Sequence, residues 1–312
     1  MGKYVFGVDI GGTTVKMGFF EEDGNLLQKW EIPTRTENSG EAILPDVADS
    51  IKMRMESQGI GKADVLGVGI GAPGPIDADG VVHAAVNLGW GVFNVSETLS
   101  GLLDGITVKS GNDANVAALG EMWKGGGQGY KNMVAVTLGT GVGGGIINNG
   151  EILCGAVGAG GEIGHIHVED AEEESCNCKN KGCLEQYASA TGIVRLAKRK
   201  LSESSEESVL REEKLSAKSV FDAVKAGDKV AEQIAEQFGY YLGKGLAAVA
   251  GVVNPEAFVI GGGVSKAGEV IFKYIKPYYK EYVFHAGRDA EFKPAMLGND
   301  AGIYGAAKMV LD

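Results

Sequence analysis

Apolar residues in this chain come in short runs that stop at glycine-rich turns, and they do so twice over. Val5 to Asp9 reads as a strand ending at the turn Gly11-Gly12-Thr13. Val15 to Phe20 resumes extended structure, Asp23-Gly24 turns again, and Leu26 to Ile32 reads as a third strand. The second half repeats the plan. Met133 to Leu138 ends at Gly139-Thr140-Gly141, Val142 to Ile147 follows, and Asn148-Asn149-Gly150 turns before Glu151-Ile152-Leu153. Laying Val8-Asp9-Ile10-Gly11 on Val136-Thr137-Leu138-Gly139 keeps both the apolar run and the turn in phase. Two copies of one strand, glycine turn and strand unit predict two related α/β lobes.

Between the copies the pattern predicts a helix over Ala42 to Gln58, a buried strand over Val65 to Ile70, the loop Gly71-Ala72-Pro73-Gly74-Pro75, and a helix over Asn112 to Lys124. Asn112 or Asp113 is placed to cap that last helix. Further on, helical spacing covers Gln186 to Leu201, Ser219 to Ala226 and Lys229 to Val253. Ser202 to Lys214 is rich in Ser and Glu and reads as a solvated helix or a loose linker. Phe258 to Ile260 is a short strand running into Gly261-Gly262-Gly263, with a helix expected from about Ser265 and a closing helix from about Asp300 to Val310.

With 312 residues, 44% of them hydrophobic, the chain has material for two cores. A net charge of −12 argues against nucleic acid or an anionic membrane as partner, because phosphate backbones need a basic surface. Met1 to Asp9 carries no charged-then-apolar leader pattern, and no apolar run reaches membrane-spanning length, so the cytoplasm is the expected compartment. Four cysteines in such a chain point to thiols or metal ligands rather than disulfides.

The segment Asp9-Ile10-Gly11-Gly12-Thr13-Thr14-Val15-Lys16 joins two strands and lacks the G-x-x-x-x-G-K-[ST] pattern. Its small residues still let backbone N–H groups and threonine hydroxyls approach phosphate oxygens, and Asp9 can hold Mg²⁺ through water. An ordinary hairpin turn explains one such loop; a pair of them favours phosphate binding. Gly139-Thr140-Gly141-Val142-Gly143-Gly144 matches the dinucleotide fingerprint, but that fingerprint must open a helix, and Gly145 to Gly150 continues as strand and turn. Gly261-Gly262-Gly263 suits a nucleoside lying against backbone, or a tight turn alone.

Asp113 has two readings, helix cap or a carboxylate that takes a proton from a sugar hydroxyl, and taken alone the cap is the better one. Glu162 and His165 in Gly160-Gly161-Glu162-Ile163-Gly164-His165, and Glu185 after Gly182-Cys183-Leu184, join Asn112 and Asp113 as groups suited to bracketing hexose hydroxyls. Cys176, Cys178 and Cys183 place three of the four cysteines within eight residues, with His165 upstream. Three thiolates and an imidazole form a closed zinc set; free thiols or a redox pair are the alternative. Cys154 stands apart and reads as a small buried residue.

Together these segments resemble the ROK family of sugar kinases and repressors, within the actin-like ATPase (ribonuclease H-like) fold. The resemblance spans nearly the whole chain. It rests on Asp9 to Thr13, Asn112-Asp113-Ala114-Asn115, Leu138 to Gly143, Glu162 to His165, and the cysteine run closing on Glu185. It implies an α/β protein of two lobes with a central cleft, 1–116 plus 299–312 forming the smaller lobe and 117–298 the larger, with the second phosphate loop and zinc site. It implies ATP-dependent phosphorylation of a hexose, with Asp113 as catalytic base on the 6-hydroxyl and Asn112, Glu162, His165, Glu185 and Asn87 as sugar contacts. ATP with Mg²⁺ is expected against Asp9, Gly11, Gly12, Thr13, Thr14, Lys16, Thr137, Gly139, Thr140, Gly141, Gly261, Gly262 and Gly263. Structural zinc is expected on His165, Cys176, Cys178 and Cys183, orienting the loop that presents His165 and Glu185.

Two departures stand out. Lys179 follows the second cysteine where the family usually has glycine, which alters the turn but loses no ligand. Thr14 and then Lys16 follow the Gly-Gly-Thr where many members have lysine directly. Repressors of the family carry a DNA-binding helix-turn-helix ahead of the first loop; that loop begins here at Asp9, so the enzyme branch is expected. Glucose is the expected sugar, because the Glu162 loop, the cysteine run and Asn87-Leu88-Gly89-Trp90 look like those of glucokinases. Kinases of N-acetylmannosamine, fructose, mannose and allose share most of these features. A homodimer or higher homo-oligomer is expected, with the helix Lys229 to Val253 as core rather than interface.

Overall fold

The computed structural model describes residues 3–311. The first copy of the repeat forms an antiparallel meander of β1 (Tyr4–Ile10), β2 (Thr14–Glu21) and β3 (Leu26–Pro33). A single turn, α1 (Glu37–Gly40), and the helix α2 (Ile43–Gln58) lead to β4 (Val65–Ala72), parallel to β1. A small ribbon of β5 (Val81–Val82) and β6 (Phe93–Asn94), then α3 (Val95–Leu102), lead to β7 (Val108–Asn112), parallel to β4. β7 passes without a loop into α4 (Asp113–Lys124).

The second copy forms β8 (Met133–Leu138), β9 (Val142–Asn148) and β10 (Glu151–Ile152). Four helices follow, α5 (Glu185–Ala188), α6 (Ala190–Glu203), α7 (Ala217–Lys225) and α8 (Lys229–Val253). β11 (Ala257–Gly261) lies parallel to β8, α9 (Val270–Tyr282) leads to β12 (Glu291–Pro294), parallel to β11, and α10 (Ala301–Leu311) closes the chain. The two sheets have one order. The first runs β3-β2-β1-β4-β7 and the second β10-β9-β8-β11-β12. In each, the first strand ends one residue before its glycine, and the second strand resumes three residues after it, at Thr14 and Val142.

The chain divides into two compact units, Met1–Lys131 with Gly145–Gly161 and Met296–Asp312, and Asn132–Gly144 with Glu162–Ala295. The boundary expected at 116/117 falls inside α4, which is unbroken to Lys124 and packs along α10, so the whole helix stays in the first unit. The core of that unit sets fully buried Phe6, Val8, Val68 and Ile70 of the sheet against Val47 and Ile51 of α2. Each such side chain contributes about 1.5–3 kcal/mol on burial. α10 covers β1 and β4 with buried Ile303, Ala306 and Ala307. In the second unit, α8 buries Ile234, Phe238, Leu242 and Leu246 at helical spacing and packs on α9, α6 and α7, so it is core.

Several boundaries differ from the sequence reading. The helix expected from about Ser265 begins at Val270, because Val264–Ala267 is a 3₁₀ turn ended by Gly268 at φ 85°. The helix expected over Gln186 to Leu201 is two: Ser189, buried and extended at φ −81°, ψ 170°, separates them and caps α6 by accepting from Gly192 N. Ser202 to Lys214 is mostly exposed, with Leu210 buried in one 3₁₀ turn. No helix among the described residues is long and apolar enough to cross a membrane.

Candidate active site

The first loop expected to meet phosphate is a tight reversal between β1 and β2. Gly11 N donates to Thr14 O at 3.0 Å, and Thr34 anchors the loop from β3's end, its hydroxyl donating to Gly11 O at 2.7 Å and its N–H to Thr13 O at 2.9 Å. Gly12 and Thr13 are exposed at the tip. Asp9, the next-to-last residue of β1, is largely buried, and burial pushes its carboxyl up to about 6; Lys16 opposes the rise and Asp113 adds to it. Lys16 is paired with Asp9 across β1 and β2, and its Nζ donates to Asn299 O at 3.2 Å.

The register of the first sheet brings three segments to one edge. Asp9 pairs with Gly71 on β4, and Ala72 pairs with Asn112 on β7, so the loop Gly71 to Pro75 and the Asn112-Asp113 step lie beyond the carboxyl ends of adjacent parallel strands. Ligands collect at such edges. Asn112 is the N-cap of α4, its Oδ1 accepting from Ala114 N at 3.0 Å and Asn115 N at 3.2 Å, while its Nδ2 donates to Gly74 O at 3.1 Å. Capping is therefore the work of Asn112. Asp113 Oδ1 accepts from Asn112 Nδ2 at 3.0 Å and from its neighbour Ala114 N at 2.8 Å, which orients the carboxylate. Asn87 stands exposed in the turn Val86–Leu88, on a loop tied down by Trp90 Nε1 donating to Gly40 O at 3.2 Å.

In the second unit, Gly139-Thr140-Gly141 makes the matching reversal, Gly139 N donating to Gly141 O at 3.0 Å. Thr137, the counterpart of Asp9, is exposed and pairs with Gly261 on β11. Gly262 follows at φ 86° and packs on β8: a Cβ there would lie 2.5 Å from Leu138 O, so both conformation and space demand glycine. The run Gly261 to Gly263 thus lies directly beside the Gly139-Thr140-Gly141 reversal.

His165 presents its two ring nitrogens to different neighbours. Nδ1 lies 3.8 Å from Cys176 Sγ and Nε2 lies 3.9 Å from Glu162 Oε2. The ligand atoms of His165, Cys176, Cys178 and Cys183 all fall within 4.8 Å of one another, and Cys178 Sγ to Cys183 Sγ is 3.6 Å. A disulfide needs about 2.05 Å, whereas thiolates 2.3 Å from a tetrahedral zinc stand about 3.8 Å apart. Burial first, and the neighbouring thiols after it, push Cys183 up to about 12; a dication removes that obstacle to ionising three adjacent sulfurs. The donor set fits zinc. Lys179 takes φ 72°, the left-handed conformation that glycine fills at no steric cost, and its N–H donates to Cys176 O at 2.8 Å. The turn is kept, and the lysine bears the strain.

A model of the ROK family matches residues 5–312. The chain belongs to the ROK family. A glucokinase of Halalkalibacterium halodurans is 46% identical over 99% of this chain and 95% of its own length. Among ROK structures, a hexokinase of Thermus thermophilus superposes with a TM-score of 0.79 at 32% identity, covering 97% of this chain and 96% of that one. A glucokinase of Streptomyces griseus, solved with glucose and AMPPNP, gives 0.72 at 33% identity with 98% of each chain covered. The fold is the actin-like ATPase fold of these ROK sugar kinases.

Two residues that pack against or support these segments carry no sequence signal. Gly302, on α10, lies against Asp9, where a Cβ would fall 2.4 Å from the Asp9 Cγ. Glu121 is a buried carboxylate on α4 that accepts from Gly126 N at 2.8 Å, Met296 N at 3.0 Å and Leu297 N at 2.9 Å, fixing where α10 begins. Nothing local distinguishes either residue from an ordinary helix position; their partners are brought by the fold.

Proposed function

We infer that the protein transfers the γ-phosphoryl group of ATP to the 6-hydroxyl of glucose. One observation carries the chemistry: Asp113 is held at the carboxyl edge of the first sheet, near enough to the first phosphate loop to raise Asp9. A loose phosphoryl-transfer transition state asks for positioning, charge stabilisation and a carboxylate to orient the attacking hydroxyl, and Asp113 supplies the last. The sugar is assigned from the 46% identity to a glucokinase over nearly the full chain.

In this reading Asn87, Asn112, Asp113, Glu162, His165 and Glu185 are the residues that bind the sugar. Gly11 to Thr14, and Thr137 with Gly139 to Gly141, offer N–H and hydroxyl donors to the phosphates, and Gly261 to Gly263 lie against the nucleoside. Lys16 acts on Asp9 through charge. Asp9 is the residue that would hold Mg²⁺, since a buried carboxyl raised by desolvation gains most from a nearby cation. Bound there, magnesium would supply positive charge to offset that of the phosphates. His165, Cys176, Cys178 and Cys183 would hold zinc, which would fix the ring of His165 with Nε2 toward Glu162. Because the donor is ATP, the proposed compartment is the cytoplasm. The proposal extends to a homodimer or higher homo-oligomer, and excludes nucleic-acid and membrane partners on the net charge of −12.

A coupled assay with glucose-6-phosphate dehydrogenase tests this reading. ATP and glucose should yield glucose 6-phosphate faster than ATP with mannose, fructose, allose or N-acetylmannosamine yields ADP. Absence of glucose-stimulated ADP release overturns it.

A further inference from the structure

We propose that Glu185 is a positioning residue for the second phosphate loop, tying the nucleotide's cradle to the cysteine cluster. The proposal rests on the kinase reading only in taking Gly139 to Gly141 as a nucleotide loop. The sugar role does not use all of Glu185, because its carboxylate also reaches the loop and the cysteine cluster. Oε2 accepts from Val142 N, the first N–H after the loop, at 2.9 Å. Oε1 lies 3.7 Å from Cys176 Sγ. One side chain therefore spans from the cluster to the loop.

Gly141 shows how close the fit is. Its φ lies outside the left-handed range, so its backbone does not demand glycine; a Cβ there would instead fall 2.0 Å from Glu185 Oε2. The glycine is there because the carboxylate occupies the space. The residues just after Glu185 hold the other side of the same turn. Ala190 N donates to Gly139 O at 2.8 Å, and Thr191 Oγ1 donates to Thr140 O at 2.7 Å. Two of the loop's three carbonyls and its exit N–H are thus bound by the segment from Glu185 to Thr191. The N–H groups of Thr140 and Gly141 take no part in these bonds and are the donors a phosphate would meet.

The test is AMPPNP·Mg²⁺ binding by calorimetry without any sugar, alongside zinc content by elemental analysis. A charge-assisted hydrogen bond to a buried N–H is worth about tenfold or more in affinity, so Glu185→Ala should weaken AMPPNP by about that factor. Glu185→Gln keeps an acceptor oxygen for Val142 N and should stay within about threefold of the native protein. Gly141→Ala should weaken binding at least about tenfold in the native background but less than about twofold beside Glu185→Ala, because the clashing atom is gone. Zinc per chain should be unchanged in every variant. Native-like AMPPNP affinity in Glu185→Ala overturns the proposal, as does loss of zinc together with affinity, or an equal Gly141→Ala effect in both backgrounds. If the native protein phosphorylates glucose and only these comparisons fail, the kinase reading stands. If the native protein does not bind AMPPNP, the nucleotide assignment of the loop falls and the proposal with it.

Discussion

Gly302 and Asp9 are in contact, helix against strand end, with no room for a side chain at 302: a Cβ would sit 2.4 Å from the Asp9 Cγ. Asp9 is the carboxylate that burial raises to about 6. Its orientation is therefore set by a glycine that lies almost the whole chain away.

Gly302→Ala should lower kcat/KM by about a hundredfold, since displacements near 1 Å at a reacting centre cost on that order. Alanine is the better helix former by about 1 kcal/mol, so α10 itself is not weakened. Steady-state kinetics over a Mg²⁺ titration, with circular dichroism to confirm folding, checks this.

His165 joins the cysteine cluster to Glu162 through its two nitrogens. Elemental analysis should find one zinc per chain, and Cys183→Ser should hold far less. The same variant should raise KM for glucose by about tenfold or more, the usual range for losing support of an orienting group. Zinc-free native protein with an unchanged glucose KM would remove the link between metal and sugar.

Much of the architecture is legible in the chain, and the reason is local. The phase match of Asp9 with Thr137 announces two equivalent sheets, because strand length and turn position repeat together. Asn112 and Asp113 are legible as a pair before a helix, but which caps and which is presented depends on Gly74 and on the Ala114 N–H, partners that the fold arranges. Ser189 was hidden because the apolar pattern runs on through it, while its hydroxyl ends one helix and starts another. β12 was missed because Glu291-Phe292-Lys293-Pro294 is a short edge strand with one buried side chain. Glu121 and Gly302 are illegible for a different reason: Met296 and Leu297 for the one, and Asp9 for the other, lie far off in sequence, so no window contains the relationship.

Glu172 offers a pH test in the second unit. Burial opposes its charge, yet hydrogen bonds from Tyr187, Glu174 N, Arg199 and Arg195 outweigh that and hold its carboxyl at about 2, below the ordinary 4.5. Its side chain is buried, bonded by Tyr187 Oη at 2.5 Å and by Arg199 at 3.2 Å, with Arg195 also paired to it. A depressed carboxyl stabilises the fold above pH 4.5 and loses that contribution as pH falls toward 2. Glu172→Gln should cost about 2 kcal/mol at pH 7, the gap narrowing as pH drops through that window. Urea unfolding at pH 7, 4 and 3 measures it; a gap independent of pH would contradict the ion network.

Lys179 occupies a left-handed position at φ 72° on the exposed side of the cysteine loop. Replacing it by glycine removes roughly 1 kcal/mol of backbone strain, less the entropy glycine loses on folding. Lys179→Gly should raise Tm by a few degrees at most with zinc content and kcat unchanged, as thermal unfolding of the two proteins would reveal.

The proposed phosphoryl transfer requires Asp113 to receive the sugar proton. Asp113→Asn keeps an oxygen for Asn112 Nδ2 and Ala114 N, so the local hydrogen bonds and the helix start survive. The measurement is kcat with saturating ATP and glucose, together with glucose affinity by calorimetry. Loss of a general base should lower kcat by about a thousandfold, with glucose binding still measurable. A variant that retains near-native kcat would contradict the assignment of the base and, with it, the proposed chemistry of this site.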